Sequence, residues 1–141
     1  AIRMLADAGV PVGVMTAPII PGLNDSEIPT LLEAARDAGA QSAGYVFLRL
    51  PLTVEPVFRE WLNRTQPLKV ERVEQRLKQS REGKLSVSKW GDRMRGTGEI
   101  ADQIGQLFRV FTQRLGFDRL PPLDTSQFQR PLPRTGQLRL F

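Results

Sequence analysis

The chain has 141 residues, of which 40% are apolar, and it contains no cysteine and no histidine. This length suffices for one packed domain but not for a complete α/β barrel, which takes about 250 residues. The composition excludes disulfides, thiolate-bound metals, His-ligated zinc and imidazole bases from this stretch of sequence. No apolar run approaches the ~20 residues that span a bilayer, and no signal peptide is visible, so we expect a cytoplasmic location and no membrane partner.

The charge is unevenly distributed along the chain. The net charge is +5, but residues 1–60 carry four basic and seven acidic side chains, whereas residues 61–141 carry sixteen and eight. The first part is therefore at −3 and the second at +8. A basic second half suits an anionic partner such as nucleic acid or a phosphate-bearing substrate, and it equally suits a solvated arginine-rich surface.

The first fifty residues have the pattern of strand and helix units. Residues 2–8 are typical of the end of a helix that Gly9 would cap. The apolar run 10–17 predicts a strand buried on both faces, and 26–38 predicts an amphipathic helix with Asp25 or Ser26 as its cap. A second strand is predicted at 43–50. Because about 25 residues connect the strands, a right-handed parallel crossover fits, and we expect adjacent parallel strands in an α/β fold, with the helix on one face.

The pattern changes after residue 52. The periodicity predicts helices separated by one irregular stretch, in the order helix 54–62, helix 67–83, irregular 84–98 and helix 100–115. From residue 119 onward, prolines, polar residues and scattered arginines predict an extended or mobile tail. We therefore divide the chain into strand–helix units at 1–52, a helical extension at 53–118 and a tail at 119–141.

The turn between the first strand and its helix reads Pro-Ile-Ile-Pro-Gly-Leu-Asn-Asp, residues 18–25. Loops at the carboxyl ends of parallel strands bind ligands in α/β folds. Gly22 allows the backbone to approach a ligand without an intervening Cβ. Asn24 and Asp25 can either cap the next helix or present side-chain oxygens and an amide to a ligand. The residues alone leave open whether this is a binding loop or a plain capped turn.

Residues 12–25 resemble the fifth strand and following loop of radical S-adenosylmethionine enzymes, in which the loop pattern is Gly-x-Ile-x-Gly-x-x-Glu. Ile20 and Gly22 match this pattern, whereas Pro18 replaces the first glycine and Asp25 replaces the glutamate. The segments 42–51, 93–98 and 121–126 resemble the branch of the family that includes spore photoproduct lyase. The resemblance implies the C-terminal portion of a partial (β/α) barrel, with two parallel strands and crossover helices, followed by a helical extension.

The resemblance also implies the chemistry of the whole enzyme. Three upstream cysteines, spaced Cys-x3-Cys-x2-Cys, would bind a [4Fe–4S] cluster that chelates S-adenosylmethionine, and one-electron reduction would yield a 5′-deoxyadenosyl radical. The cluster ligands are absent from this chain, so we expect it to be inactive alone. The implied partners are the upstream part of the barrel, an electron donor and an unknown substrate, which the branch suggests is nucleic acid.

Individual residues receive roles from this resemblance and from their positions. Ile20 would touch adenine and Asp25 would brace the turn, with Gly22 and Asn24 completing the cofactor loop. Arg49, near the end of the second strand, is a candidate for the carboxylate of S-adenosylmethionine or a substrate phosphate. Arg93 and Arg95, the latter followed by Gly96, are candidates for gripping substrate phosphate. For each arginine, a solvated surface position remains the alternative.

Two other classes of function remain open. One is a basic nucleic-acid-associated module built on the +8 half of the chain. The other is part of a cofactor-free α/β-barrel lyase or aldolase. An aldolase of the Schiff-base type needs a lysine at a strand end, and all four lysines follow residue 68, outside both predicted strands.

Overall fold

The computed structural model describes residues 1–85 and 92–129, without the side chains of residues 92 and 93. Single 3-10 turns, Asp25–Glu27 and Pro67–Lys69, lead into two of the helices. In chain order the helices and strands are α1 Ile2–Asp7, β1 Gly13–Ile19, α2 Ile28–Asp37, β2 Ser42–Phe47, α3 Val54–Thr65, α4 Val70–Gln79, α5 Asp92–Arg95 and α6 Glu99–Arg114.

The two strands pair in parallel, as the sequence predicts, with α2 as the connection between them. Gly13 lies opposite Ser42, and the register continues to Thr16 opposite Tyr45. An irregularity then precedes the pairing of Ile19 with Phe47. It falls where Pro18 has no N–H to donate to the ladder. The described chain is thus a mixed α/β structure with a two-stranded parallel sheet.

The first strand begins three residues later than the sequence predicts. Gly9 has φ +76°, and the Val10 N–H donates to the carbonyl of Leu5 at 2.9 Å. This is the backbone pattern by which a helix ends at a left-handed glycine, and it keeps Val10 in the turn after α1. The second strand ends earlier than predicted, at Phe47, although the Leu48 N–H still donates to the Ile19 carbonyl at 2.8 Å.

One face of the sheet is covered by α2 and α6. Their inward side chains form a core with the strands, in which Leu32 and Phe47 are fully buried. The buried members of this core are Ile19, Ile28, Leu32, Phe47, Ala101, Ile104 and Phe108. Because α6 belongs to the predicted helical extension, the extension shares this core with the strand–helix units. Burial at helical spacing in α2 and α6 confirms the amphipathic patterns.

A second core lies beyond the carboxyl ends of the strands, where α3 and α4 pack against the segments that leave the sheet. Ile20 follows β1, and Leu48 and Leu50 follow β2. The buried members are Ile20, Leu48, Leu50, Leu62, Val73 and Leu77. The loop and the helical extension therefore meet at the end of the sheet where ligands bind in α/β folds.

The other face of the sheet is largely open in the described structure, and Leu120 approaches it only at the start of β1, where a Cβ on Gly13 would be 3.6 Å from the Leu120 Cδ1. The alternate positions of β1, Gly13, Met15 and Ala17, are exposed, and Met15 is 62% exposed. Met15 lies against Gly44 of β2, since a Cβ on that glycine would be 3.0 Å from the Met15 Cε. In the described structure the sheet thus presents one packed face and one open face.

The helical extension differs from the prediction in two places. Helix α4 is shorter than the predicted 67–83, because it follows the 3-10 turn Pro67–Lys69 and ends at Gln79. A short helix, α5, lies within the stretch 84–98 that the sequence predicts to be irregular. Four residues between nearby glycines give too short a periodic signal to indicate a helix. The described part of the tail, 119–129, is exposed throughout and contains no helix or strand, and residues 130–141 of the predicted tail lie outside the described residues.

Candidate functional site

The loop after β1 is held by its own side chains. The Ile20 N–H donates to Oδ1 of Asn24 at 2.7 Å, and Nδ2 of Asn24 donates to the Pro18 carbonyl at 3.1 Å. The Gly22 N–H donates to Oδ1 of Asp25 at 3.0 Å. The prediction that Asp25 or Ser26 caps the helix is wrong. Neither the 3-10 turn Asp25–Glu27 nor α2 has a side-chain hydrogen bond at its N-cap, and the Asp25 carboxylate instead closes the loop.

Helix α4 packs directly on this loop. Nη1 of Arg76 lies 2.9 Å from Oδ2 of Asp25, in an ion pair whose carboxylate side chain is 15% exposed. Gly22 has φ +86°, and a Cβ there would be 3.0 Å from Cδ of Arg76 and 3.3 Å from Cγ of Arg72. Gly22 is therefore required both by its left-handed backbone and by the close approach of α4. The expected brace by Asp25 is present as contacts to both the turn and the helix.

Ile20 and Asn24 occupy different sides of the loop. The Ile20 side chain is 8% exposed and packs in the core beneath α3 and α4. Asn24 lines a cavity of about 110 Å³ beside the loop, which Pro18 and Leu31 also border. The contact of Ile20 with adenine stays a prediction. In the described structure, the cavity lies on the Asn24 side of the loop.

Arg49 follows β2 by two residues, and its side chain is exposed. Its Nη1 lies 3.8 Å from Sδ of Met94 in α5. No hydrogen bond or ion pair joins Arg49 to the loop within the described part of the chain. The prediction that Arg49 faces the same cavity as the loop therefore stays untested, and what the structure does show is a position beside α5.

Beneath Arg49 lies an arginine that the sequence analysis does not single out. Arg81 is 1% exposed, and its Nη2 donates to the Leu48 carbonyl at the end of β2. Burial, together with the nearby charge of Arg49, lowers the pKa of the Arg81 guanidinium from its ordinary value. An arginine remains charged in proteins even so. Arg81 thus places a buried positive charge at the carboxyl end of the sheet.

Arg95 lies in a separate groove between the edge of β2 and helix α6. The groove has a volume of about 670 Å³, and it also presents Tyr45, Asp102, Gln106 and Arg109. Its remaining lining is small or apolar and comprises Ala43, Gly44, Gly96, Ala101, Gly105 and Phe108. The Arg93 side chain lies outside the described residues. Of the two predicted substrate arginines, the structure thus locates Arg95, on the wall of an open groove.

Tyr45 is the central polar side chain of this groove. Its ring packs on Phe108, with ring centroids 4.7 Å apart. Its hydroxyl lies close to α6, since a Cβ on Gly105 would be 3.0 Å from the Tyr45 Oη. Burial raises the pKa of Tyr45; the charges of Arg95 and Arg109 partly offset this, and Asp102 adds slightly to it. The Tyr45 phenol therefore stays protonated at neutral pH and can donate a hydrogen bond.

The sequence analysis missed Tyr45, Gly105 and Arg109. A signal exists for Gly105, because a glycine in the interior of an amphipathic helix is unfavourable and indicates the close approach of another group. For Tyr45 and Arg109 the sequence offers no comparable signal, because only the packing of α6 on β2 brings them to the same groove.

Comparison with known proteins adds no family. No family model matches the chain, and no curated protein or solved structure matches it. Among the described residues, no group of three or more acidic, cysteine or histidine side chains is arranged to hold a metal ion. None of the described helices has the length and apolar character to cross a membrane.

Proposed function

We propose that this chain is the C-terminal part of a radical S-adenosylmethionine enzyme similar to the spore photoproduct lyase branch. In this role it helps to bind the adenosyl group and to enclose the substrate. The observation that carries the proposal is the parallel pair β1 and β2, on which the described helices α2 and α6 cover the same face. The loop that resembles the family motif leaves β1 at its carboxyl end. A barrel strand has helices outside and ligand or side chains inside, which is the asymmetry of this sheet.

The open face of the sheet would be the interior of the barrel. Met15 and the exposed Ala17 would then point toward the strands supplied by the upstream part of the protein. A two-stranded sheet leaves unpaired backbone N–H and C=O groups along its outer edges, and these groups favour association with other chains. The chain by itself is accordingly expected to be marginally stable, prone to associate and catalytically inert.

The residues of this chain suit the adenosyl group and do not suit the cluster. A [4Fe–4S] cluster needs thiolate ligands, and the sequence has none, so the cluster belongs to the upstream part in this proposal. When bound there, the cluster and S-adenosylmethionine supply radical chemistry. The loop contributes polar groups around the cavity beside Asn24, and the Asp25–Arg76 ion pair holds the loop in shape. Ile20 packs against α3 and α4 and thereby supports the loop, and the exposed 8% of its side chain would contact adenine.

The test uses the full-length enzyme with a reconstituted cluster. Gly22→Val should be the most damaging change, because a branched side chain cannot adopt the left-handed geometry of this turn. Ile20→Ala should weaken S-adenosylmethionine binding mainly by removing support beneath the loop, because Ile20 is 8% exposed and packs in the second core. Arg49→Ala should impair turnover more than cluster assembly, with Arg64→Ala on the exposed side of α3 as the matched control.

The measurements are S-adenosylmethionine affinity and 5′-deoxyadenosine formation, taken at a temperature where circular dichroism shows each variant folded. If Gly22→Val and Ile20→Ala bind and cleave the cofactor like the parent, the loop is only a turn and the proposal fails.

The aldolase alternative gains no support from the structure. A Schiff-base lysine would have to lie at a strand end, facing the ligand side of the sheet. The described lysines, Lys69, Lys78 and Lys84, lie in or next to α4, beyond the second core. The nucleic-acid alternative is compatible with the radical enzyme, because the +8 half of the chain would then contact an anionic substrate.

A further inference from the structure

The groove between β2 and α6 is lined by two arginine side chains, the hydroxyl of one tyrosine and several glycine and alanine residues. Arg95 approaches it from the end of α5 and Arg109 from the third turn of α6. Tyr45 comes from β2. These three side chains come from three different elements, so the fold and not local sequence brings them together.

Neither arginine has an ion-pair partner among the residues that the structure describes. Arg95 and Arg109 are both exposed. The contrast is with Arg59 and Arg76, which pair with carboxylates at 2.9 Å, and with Arg114, whose guanidinium stacks over Phe111. The fold thus leaves two guanidinium groups available beside a hydroxyl donor.

We propose that this groove binds a phosphate ester, with its phosphoryl oxygens held by Arg95, Arg109 and the hydroxyl of Tyr45. Guanidinium groups present N–H donors in a planar fork that matches phosphate oxygens, and two of them compensate a dianion. The phenol adds a neutral donor, because a tyrosine hydroxyl is protonated at neutral pH. A carboxylate has fewer oxygens and less charge, so it satisfies these donors less well.

Asp102 narrows the class of ligand further. It lines the same groove and is exposed, and its carboxylate only accepts hydrogen bonds. A phosphate alone would be repelled by this side chain, whereas a ligand hydroxyl near the phosphate would donate to it. The favoured ligand is therefore a phosphate ester that also carries hydroxyl groups, such as a sugar phosphate or the sugar-phosphate part of a nucleotide. The floor of Ala43, Gly44 and Ala101 leaves room for the sugar ring.

Gly105 is the structural condition for this site. Any side chain there would have its Cβ about 3.0 Å from the Tyr45 hydroxyl, so the phenol would have to shift by a few tenths of an ångström. The glycine therefore allows the phenol its observed position in the groove that Arg95 and Arg109 also line. Tyr45 belongs to the helix-covered face of the sheet, so this site is separate from the proposed interior of the barrel and its binding requires no radical chemistry.

Tyr45 is the single tyrosine of the sequence, which gives the site its own probe. Residues 1–141 are labelled with ¹³C at the tyrosine Cζ under conditions in which circular dichroism shows the chain folded, and the one tyrosine resonance is followed during titration with ribose 5-phosphate. Adenosine monophosphate and ribose are titrated in parallel. We expect ribose 5-phosphate to shift the resonance in a saturable way and ribose to leave it unchanged. Tighter binding of adenosine monophosphate would identify a nucleotide as the source of the ester, and equal binding a sugar phosphate.

Matched variants separate a site from general charge attraction. Arg95→Gln and Arg109→Gln should each weaken binding by about tenfold, because each removes a charge-assisted contact. Arg114→Gln makes the same charge change on the same helix outside the groove, and it should alter binding less than twofold, about 0.4 kcal/mol. Gly105→Ala should move the unliganded Tyr45 resonance and weaken binding.

The proposal is overturned if ribose 5-phosphate leaves the resonance unchanged up to about 10 mM. It is also overturned if Arg114→Gln weakens binding as much as Arg95→Gln and Arg109→Gln do. Because all three arginines are exposed, these variants are expected to fold, and an unshifted Tyr45 resonance without ligand verifies this for the Arg114 control. Radical activity enters none of these readouts, so failure here and failure of the proposed function remain distinguishable.

Discussion

The close packing of α4 on the loop after β1 predicts that Gly22→Ala destabilises the chain for two reasons. Gly22 has φ +86°, and an L-residue in the left-handed region costs about 1–2 kcal/mol. Its new Cβ would also stand 3.0 Å from Cδ of Arg76, so this side chain must shift and strain its ion pair with Asp25. Because that pair is only partly buried, we assign it about 1 kcal/mol or less. The expected total is about 1–3 kcal/mol, above that of the backbone term alone.

Gly9→Ala is the matched control for this prediction. Gly9 has φ +76°, yet nothing lies within 4 Å of a Cβ built there. This variant should therefore show the backbone cost alone, about 1–2 kcal/mol. In the background of Arg76→Ala the extra cost of Gly22→Ala should fall, because the nearest side chain that it displaces has been removed and only the looser contact with Arg72 remains.

The assay is urea denaturation followed by circular dichroism, with the free energy of unfolding taken for the parent, the single variants and the double variant. If Gly22→Ala costs no more than Gly9→Ala, or if its cost is the same with and without Arg76, then α4 does not pack on the loop in solution. Either result would refute the packing argument.

Three further outcomes are expected from the same chain. Asp25→Asn should lower the free energy of unfolding by about 1 kcal/mol or less at low salt, because Oδ1 can still accept from the loop while the ion pair with Arg76 is lost. The stability of this variant should also depend less on ionic strength than that of the parent, and equal salt dependence in both proteins would argue against the pair. Because the pKa of Tyr45 is raised, the folded state binds the phenol proton more tightly than the unfolded state does. The stability that this proton contributes is therefore complete below pH ~10 and is lost as the pH rises through the raised pKa. Tyr45→Phe should remove this part of the alkaline decline in stability, which unfolding curves across alkaline pH measure. Ile104→Ala, in the core between α6 and the sheet, should lower the free energy of unfolding by about 2–5 kcal/mol, whereas Val110→Ala, at a half-exposed position, should change it by no more than about 0.5 kcal/mol. If calorimetry shows equal losses for the two variants, the observed orientation of α6 is contradicted.

The parallel pair and its crossover were predictable because their signals are local. Apolar runs predict the strands, amphipathic spacing predicts α2 and α6, and the glycines that follow α1, α2 and α6 predict where these helices end. The strand boundaries were not predictable to the residue, because the Val10 N–H is taken by the turn after α1 and Pro18 interrupts the ladder. These competing hydrogen bonds are invisible to hydrophobic periodicity.

The candidate sites were only partly predictable for a related reason. The sequence indicates the loop at 18–25, but Asp25 meets Arg76 across 51 residues of chain, and no local pattern encodes that distance. The same holds for the groove, where Tyr45 and Arg109 meet only because α6 packs on β2. Arg95 could be proposed as a substrate residue from its glycine-rich surroundings, whereas its partners depend on the tertiary fold.

The proposed function is tested most directly by the coding sequence immediately upstream of Ala1. The account predicts an open reading frame continuous with this chain that encodes a Cys-x3-Cys-x2-Cys motif after its first barrel strand, since the cluster needs three thiolates that residues 1–141 do not contain. A start codon directly before Ala1, or an upstream frame long enough for the remaining strands but without that motif, would contradict it.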